Sequence, residues 1–440
     1  MSDDIYTRPA ELLRNLIRFD TTNPPGNERE CVDYIQGLVR AAGIETKTVG
    51  RGVERPNLIA RLPGRGEAPP LLLYGHVDVV TTEGQDWAHA PFEAIESDGY
   101  IWGRGAVDMK GGVAMMLSAF LRAKAERLEP AGDVIFSAMC DEENLSDSGA
   151  KWLAAEHAEL FEGVRYAISE FGGFAIYFGG KRFYPIQVAE KQVCTLRATL
   201  RGPAGHGSMP FRGGTMANLS HLLRRLDRKR LPVHVTPVVR QMLETISAAS
   251  GFPANVTMRQ VMRPPLTNRI LDMIGEKARM VDALLHNTVS PTVLRTTKKF
   301  NVIPAQIDVI LDGRMLPGFQ PDDFVREVRT LVGDEVELEV VHHDPGPPEP
   351  DMALFGMLSE ILEQADPAAK ATPLLMPGVT DSRFMARLGI QTYGFLPMNL
   401  PPDFNFWQVI HAADERVPVE ALRFGADAIF KVLQRYRVAK

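Results

Sequence analysis

Cysteine is scarce. The 440 residues hold three, Cys31, Cys140 and Cys194, an odd number at wide spacing. That excludes a disulfide framework and a thiolate zinc site, and it fits a reducing compartment. No run of 18 apolar residues occurs, so no membrane helix and no membrane partner are expected. The Gly-x-Ser-x-Gly elbow of α/β-hydrolases is missing, which disfavours a serine hydrolase. Neither sign of charge dominates: 49 Lys and Arg against 55 Asp and Glu leave −6. The basic excess that backbone phosphates demand is absent, so no nucleic-acid partner is expected. There is no internal repeat and no low-complexity tract; 37 glycines and 32 prolines are scattered as punctuation. What is present is a globular composition, 45% hydrophobic and 24% charged, on a chain long enough for a large core. At roughly 100–200 residues per domain, two to four domains are expected. Residues 1–8 are polar and read as no signal peptide, so a cytoplasmic location is expected.

Apolar periodicity divides the chain. Helical spacing over 8–19 and 28–42 flanks the breaker Asn23-Pro24-Pro25-Gly26-Asn27. Short buried strands are expected at 57–62, 71–74, 100–102, 133–139 and 166–169, with helices at 111–126 and 148–158. Such alternation predicts an α/β layer domain with a mostly parallel sheet. The texture then changes. A strand at 193–200 leads to a basic helix at 215–229 and a mostly helical or irregular stretch at 232–290. A strand or hairpin within 301–316, a helix at 321–331 and a strand at 336–341 follow. This order reads as an inserted α+β unit. The proline-rich 343–350 run reads as the return linker, and helices at 351–365 and 418–437 belong to the resumed alternation. The expectation is a catalytic domain of 1–190 and 347–440 around an insert of 191–346.

Five of the ten histidines, His157, His221, His234, His342 and His343, sit on helices or polar stretches and read as surface or core residues. His76 differs. It follows the apolar run Leu71–Tyr74 at the carboxyl end of an expected buried strand, where α/β sheets carry their sites. Period two puts Asp78 on the same side of the chain, where a carboxylate can hold the second imidazole nitrogen. Asp108 lies in the glycine-rich run 103–112, whose spacing matches neither the Walker pattern nor the dinucleotide fingerprint. Asp141-Glu142-Glu143 follows a hydrophobic strand, and adjacent carboxylates repel unless something positive neutralises them. Glu170 follows another strand, and His411 stands in the Val409–Pro418 segment. Imidazole and carboxylate ligands without thiolates suit Zn²⁺, Mn²⁺ or Co²⁺, and one carboxylate can bridge two ions about 3.5–4 Å apart.

Leu73-Tyr74-Gly75-His76-Val77-Asp78, Gly103-Arg104-Gly105 through Asp108-Met109-Lys110-Gly111-Gly112, Asp141-Glu142-Glu143 and His411 stand in an order that is specific in combination. On these motifs the chain resembles, over nearly its whole length, the dinuclear zinc exopeptidases and amidohydrolases. That family includes aminoacylase, glutamate carboxypeptidase, acetylornithine deacetylase and succinyl-diaminopimelate desuccinylase. The resemblance implies that His76, oriented by Asp78, and Glu170 bind one metal ion, that Asp108 bridges two, and that Glu143 and His411 bind the second. Glu142 is implied as the general base. The insert is implied to be a ferredoxin-like lid and dimerisation domain, whose Gly202–Ser208 segment carries His206 to a partner subunit's site. Asn301, Arg314 and Arg383 match positions that hold a substrate carboxylate, for which an arginine fork suits better than a lysine. The plain reading of Arg314 and Arg383 is structural ion pairing. The stretch 232–295 is longer than a compact lid requires. The aromatic stretch with Phe395, Phe404, Phe406 and Trp407 reads as the lining of an apolar pocket or as core packing.

The implied reaction is metal-dependent hydrolysis of an amide beside a free carboxylate, with two Zn²⁺, Co²⁺ or Mn²⁺ ions polarising the carbonyl and activating water. Glu142 moves the proton and His206 stabilises the oxyanion. The expected substrate is an N-acyl amino acid, in a homodimer. A carboxypeptidase or dipeptidase of the same chemistry and a non-enzymatic metal-bound scaffold are the alternatives.

Overall fold

The computed structural model describes residues 4–346 and 349–438; Pro347 and Pro348 of the expected return linker lie outside the described residues. A nine-stranded sheet forms the larger layer. In spatial order it runs Thr46–Gly50, Pro56–Leu62, Val134–Met139, Leu71–His76, Tyr166–Ser169, Gln391–Gly394, Lys181–Glu190 and Ala369–Met376, with Ile176–Phe178 paired to Lys181–Glu190. The pairings around the middle are parallel: Val134–Met139 with Leu71–His76, and Tyr166–Ser169 with both Leu71–His76 and Gln391–Gly394. The 71–76 and 134–139 strands are buried on both faces, which is why they read as unbroken apolar runs. The chain leaves the 71–76 strand, returns on one side of it through 134–139, and crosses to the other side for 166–169. That reversal opens a crevice beyond the carboxyl ends of these strands.

The helix Lys110–Ala125 is apolar almost all round, as a helix buried between layers must be. It packs between Pro9–Ile17 and Val419–Arg435. Its first residue, Lys110, is fully buried, and its ammonium donates to Leu16 O at 3.1 Å and Phe19 O at 2.7 Å, capping the end of the Pro9–Ile17 helix.

The second layer is an antiparallel four-stranded sheet in the order Thr288–Arg295, Gln306–Met315, Gln192–Arg201, Glu337–Asp344. Thr215–Arg228 and Pro321–Val332 pack with it around Leu196, Ala198, Val309, Leu311, Phe324 and Val328. Chain order βαββαβ with this strand order is the ferredoxin-like arrangement. Thr288–Arg295 was not expected as a strand. It is a bulged edge strand, mostly exposed and interrupted by Pro291, so it carries no alternating apolar signal.

The hairpin of Ile176–Phe178 and Lys181–Glu190, turned by Gly179 and Gly180 at positive φ, also went unread in the sequence. Within the long 232–295 stretch, the helix Pro237–Ala249 packs on the edge strand Ala369–Met376, and its Val239, Met242 and Leu243 join the core of the large sheet. These residues cover an otherwise open sheet edge. Although they lie inside the 191–346 range expected for the insert, their core is that of the large layer. All three cysteines are buried and free, and among the described residues no helix is long and apolar enough to cross a membrane.

Candidate metal centre

Three neighbouring strand ends meet at one place. His76 is the last residue of Leu71–His76, Glu170 follows Tyr166–Ser169, and the acidic turn 141–143 follows Val134–Met139. Asp108 comes from the glycine-rich loop before Lys110–Ala125, and His411 from the segment after Phe406–Val409. His76 Nε2 stands 3.2 Å from Asp108 Oδ1 and 3.5 Å from Glu170 Oε2. His411 Nε2 stands 3.0 Å from Asp108 Oδ2 and 3.3 Å from Glu143 Oε1. Donor atoms of His76, Asp108 and Glu170, of His76, Glu142 and Glu143, and of Asp108, Glu143 and His411 lie within 4.8 Å of one another in each group. Asp141, Phe171 and His411 take positive φ of 69°, 76° and 58°, turning the chain sharply beside the cluster.

The imidazole geometry is informative. His76 Nδ1 lies 2.9 Å from the backbone oxygen of Asp78, so Nδ1 carries the proton and Nε2 aims its lone pair at two carboxylate oxygens. Lone pairs facing each other inside a protein require a cation or a proton between them. Glu143 Oε1 is buried and accepts no hydrogen bond. The donor chemistry therefore fits divalent cations on both sides of Asp108.

A proton does the same work as a cation, and burial and neighbouring charge shift these groups accordingly. Burial opposes charge on His76, but Asp108, Asp78 and Glu170 outweigh it and raise its pKa well above the ordinary value. Asp108 and Glu143 raise His411 to about 10. Burial, then the charge of Asp108, pushes Glu143 up to about 7. Burial and Glu170 raise Glu142 well above the usual carboxylate range. Asp108 moves the other way: burial works against its charge, and His411 and His76 hold it low.

Asp78 does not act as expected. Its carbonyl, not its carboxylate, is the close partner of His76; the nearer carboxylate oxygen is 3.6 Å away. The carboxylate instead accepts the amides of Glu142 and Glu143, at 3.1 Å each, and Asn23 Nδ2 at 2.8 Å. Asp78 thus fixes the acidic turn. Beneath that turn lies a network the motifs did not reveal. Arg55 Nη2 pairs with Glu28 at 2.8 Å and Asp141 at 2.9 Å, and Asn23 bridges Asp78 to Asp141. Arg55 supplies the positive charge that adjacent carboxylates need. Asn23 had a signal of a kind, standing in the breaker before Pro24; Arg55 and Glu28 had none.

The remaining expected residues stand apart from the cluster. His206 is exposed on a ribbon pairing Gly205–His206 with Val302–Ile303, and its Nδ1 is 2.8 Å from Ser208 Oγ. Asn301 is exposed at the same tip, its carbonyl accepting the amide of Gly207. Arg314 pairs with Asp312 on its own strand at 2.9 Å. Arg383 is buried, paired with Asp344 at 3.0 Å and donating to Thr380 O at 2.9 Å. No hydrogen bond or ion pair joins any of the four to the cluster among the described residues. The aromatic stretch divides: Phe404 stacks on Tyr100, while Phe406 stacks on Phe174 with centroids 4.0 Å apart. Phe171, Phe174, Leu396, Met398 and Phe406 line a pocket whose polar wall is Asp108 and Glu170.

Comparison with known proteins decides what this arrangement belongs to. The model of the family described as Peptidase family M20/M25/M40 matches residues 72–435. The chain belongs to this family. It is therefore a hydrolase of the metallopeptidase and amidohydrolase class. The human N-fatty-acyl-amino acid synthase/hydrolase PM20D1 is 28% identical over 380 residues, covering 83% of this chain and 74% of the relative. A probable succinyl-diaminopimelate desuccinylase of Staphylococcus aureus (strain MRSA252) is 32% identical over 316 residues, covering 71% of this chain and 68% of the relative. The crystal structure of human carnosine dipeptidase 1 superposes with a TM-score of 0.68 at 15% identity, covering 98% of this chain and 96% of that one, and so shares the fold. The M20 match begins inside the His76 strand and runs past His411, so it spans every candidate ligand named above.

Proposed function

We propose that this M20 hydrolase cleaves the amide of an N-acyl amino acid, and that two divalent cations, zinc first among them, complete its site. The observation that carries the reading is the placement of Asp108. Each of its carboxylate oxygens faces a different histidine, and each histidine also faces a second carboxylate. His76 and Glu170 would hold one ion and Glu143 and His411 the other, with Asp108 shared between them. The ions supply Lewis acidity toward the scissile carbonyl and a water nucleophile at neutral pH. Glu142, buried and with its pKa raised by burial and Glu170, accepts the water's proton and returns it to the leaving amine. The lid and dimerisation role belongs to the ferredoxin-like layer, within the insert of 191–346. His206, exposed at its tip, reaches the cluster from a second copy of the chain and donates to the developing oxyanion. Asn301 and Arg314, on the same layer, and Arg383 are the residues proposed to hold the substrate carboxylate. Catalysis then sits in the large layer, the proposed catalytic domain of 1–190 and 347–440, whose core Pro237–Ala249 of the insert joins.

The acyl side is apolar. Phe171, Phe174 and Phe406 line a small, closely packed pocket against Asp108 and Glu170, so an acyl chain reaches the cluster along this apolar wall once these rings part. The name of the human relative, which specifies N-fatty-acyl amino acids, agrees with that pocket. The test is hydrolysis by Zn²⁺-loaded protein of N-acetyl, N-succinyl and long-chain N-acyl amino acids beside dipeptides, with a chelator control. Chelator-sensitive release is expected, greatest from the long-chain substrates. Cleavage of dipeptides with every N-acyl amino acid left intact overturns the reading.

A further inference from the structure

The two halves of the cluster are supported differently. His76 and Glu170 stand at the ends of paired strands, whose backbone ladder fixes them. Asp108 and His411 stand on loops. What holds the loops is one carboxylate. Glu415 is fully buried four residues beyond His411. Its Oε1 accepts the amides of Val107 at 2.8 Å and Asp108 at 3.1 Å, and its Oε2 accepts the amide of Gly105 at 2.9 Å. The glycine-rich loop thus forms a nest of N–H groups, and the protein fills it with its own anion instead of a phosphate.

Arg104 closes the arrangement. It is 1% exposed and pairs with Glu415 Oε2 at 2.8 Å. The same guanidinium donates to Ala412 O at 3.1 Å and to Gln85 Oε1 at 2.8 Å. Gln85 Nε2 in turn donates to His411 O at 3.0 Å. Asp108 is therefore gripped at its own amide and His411 at its own carbonyl, by groups that share one ion pair.

We infer that Glu415 and Arg104, relayed by Gln85, are positioning residues that set the affinity of the cation site formed by Asp108, Glu143 and His411 more strongly than that of the His76–Glu170 site, which shares Asp108 but takes its other two ligands from strand ends. This rests on the two-cation reading above. The pair touches no substrate. It replaces, for two loop-borne ligands, the rigidity that strands give the other two. Partners of this kind change metal affinity by about 10–100-fold when removed.

The experiment is calorimetric titration of the metal-free full chain with Zn²⁺, for wild type, Glu415→Gln, Gln85→Ala and His411→Ala. Glu415→Gln keeps the shape but turns an NH₂ toward a nest of donors. Gln85→Ala cuts the relay, with a bond from Trp87 Nε1 at 3.2 Å, and buries no unpaired charge, so it serves where Glu415→Gln fails to fold. Wild type is expected to bind two ions. Each variant is expected to keep one within about twofold of wild type and to lose at least tenfold (Glu415→Gln) or about fivefold (Gln85→Ala) at the other, approaching the His411→Ala profile. Equal loss at both sites, or wild-type constants in the folded variants, overturns the inference and leaves the two-cation reading intact. A wild type that binds a single ion overturns both.

Discussion

The strand-end cluster and the tip of the ferredoxin-like layer carry the two halves of one proposed site, and they are built on opposite principles. At the strand ends, imidazoles and carboxylates are held 3.0–3.5 Å apart by buried partners. At the tip, His206 and Asn301 are exposed, and among the described residues their hydrogen bonds run within the small ribbon of 205–209 and 301–303. A cluster that must hold like charges together needs a stiff frame before any ligand arrives. Residues that act on a substrate from a second copy need to remain unengaged until it docks.

The sharpest way to break this comparison is Glu142→Gln. It leaves the proposed ligands in place and should lower kcat about 10³–10⁴-fold while Zn²⁺ content, read by atomic absorption, stays at two per chain. Undiminished turnover would sink the general-base assignment. Next is the frame itself. Arg55→Met strands the buried carboxylates of Glu28 and Asp141 and should cost roughly 3–5 kcal/mol in denaturant unfolding. A loss below about 1 kcal/mol, the level of an exposed pair, would show that the acidic turn does not depend on it. His206→Ala probes the other half and should reduce kcat about 10²-fold with metal content and melting temperature unchanged. Mixing it with Glu142→Gln chains should restore part of the activity if the histidine acts between copies, and a mixture as inactive as either parent would argue against that geometry.

The smallest effect concerns the join between the layers. Glu190 ends its strand 1% exposed and accepts Thr380 N at 2.9 Å and Oγ1 at 3.0 Å. Burial, only partly offset by the charge of Arg383, pushes its pKa up to about 7 from the ordinary 4.5. The folded chain thus binds this proton more tightly than the unfolded one. The stabilisation is complete below about pH 4.5 and is lost as pH rises through 7. Wild type should lose roughly 2–3 kcal/mol from this group between pH 5 and 8, and Glu190→Gln should not. Parallel melting curves for the two proteins across that range would contradict it.

Several features of this molecule were legible as residues in a row. The 71–76 and 134–139 strands are buried on both faces, so their apolar runs announce them, and polar residues just beyond such runs mark the crevice. Thr288–Arg295 was hidden because an exposed edge strand needs no alternation, and Pro291 argued against a strand that a bulge in fact accommodates. The Pro237–Ala249 helix lies in a stretch legible only as mostly helical or irregular, and its place as the cover of the Ala369–Met376 edge is decided by a surface more than a hundred residues away.

The sequence by itself determined the chemistry on offer: His76, Asp108, Glu143, Glu170 and His411 as donors, and Glu142 among them. Local patterning marks His76, Glu142, Glu143 and Glu170, which stand just beyond apolar strands, whereas Asp108 and His411 stand on loops and were singled out by the motif resemblance. Tertiary structure alone decided how those donors are held. Asp78 serves the acidic turn with its carboxylate and His76 with its carbonyl. Arg55 and Asn23 neutralise that turn from distant segments, and Glu415 fills the glycine-rich nest from the far end of the chain. Each is a single side chain whose partner is fixed by folding, and a buried charge finds its counter-charge in space, wherever the chain happens to bring one.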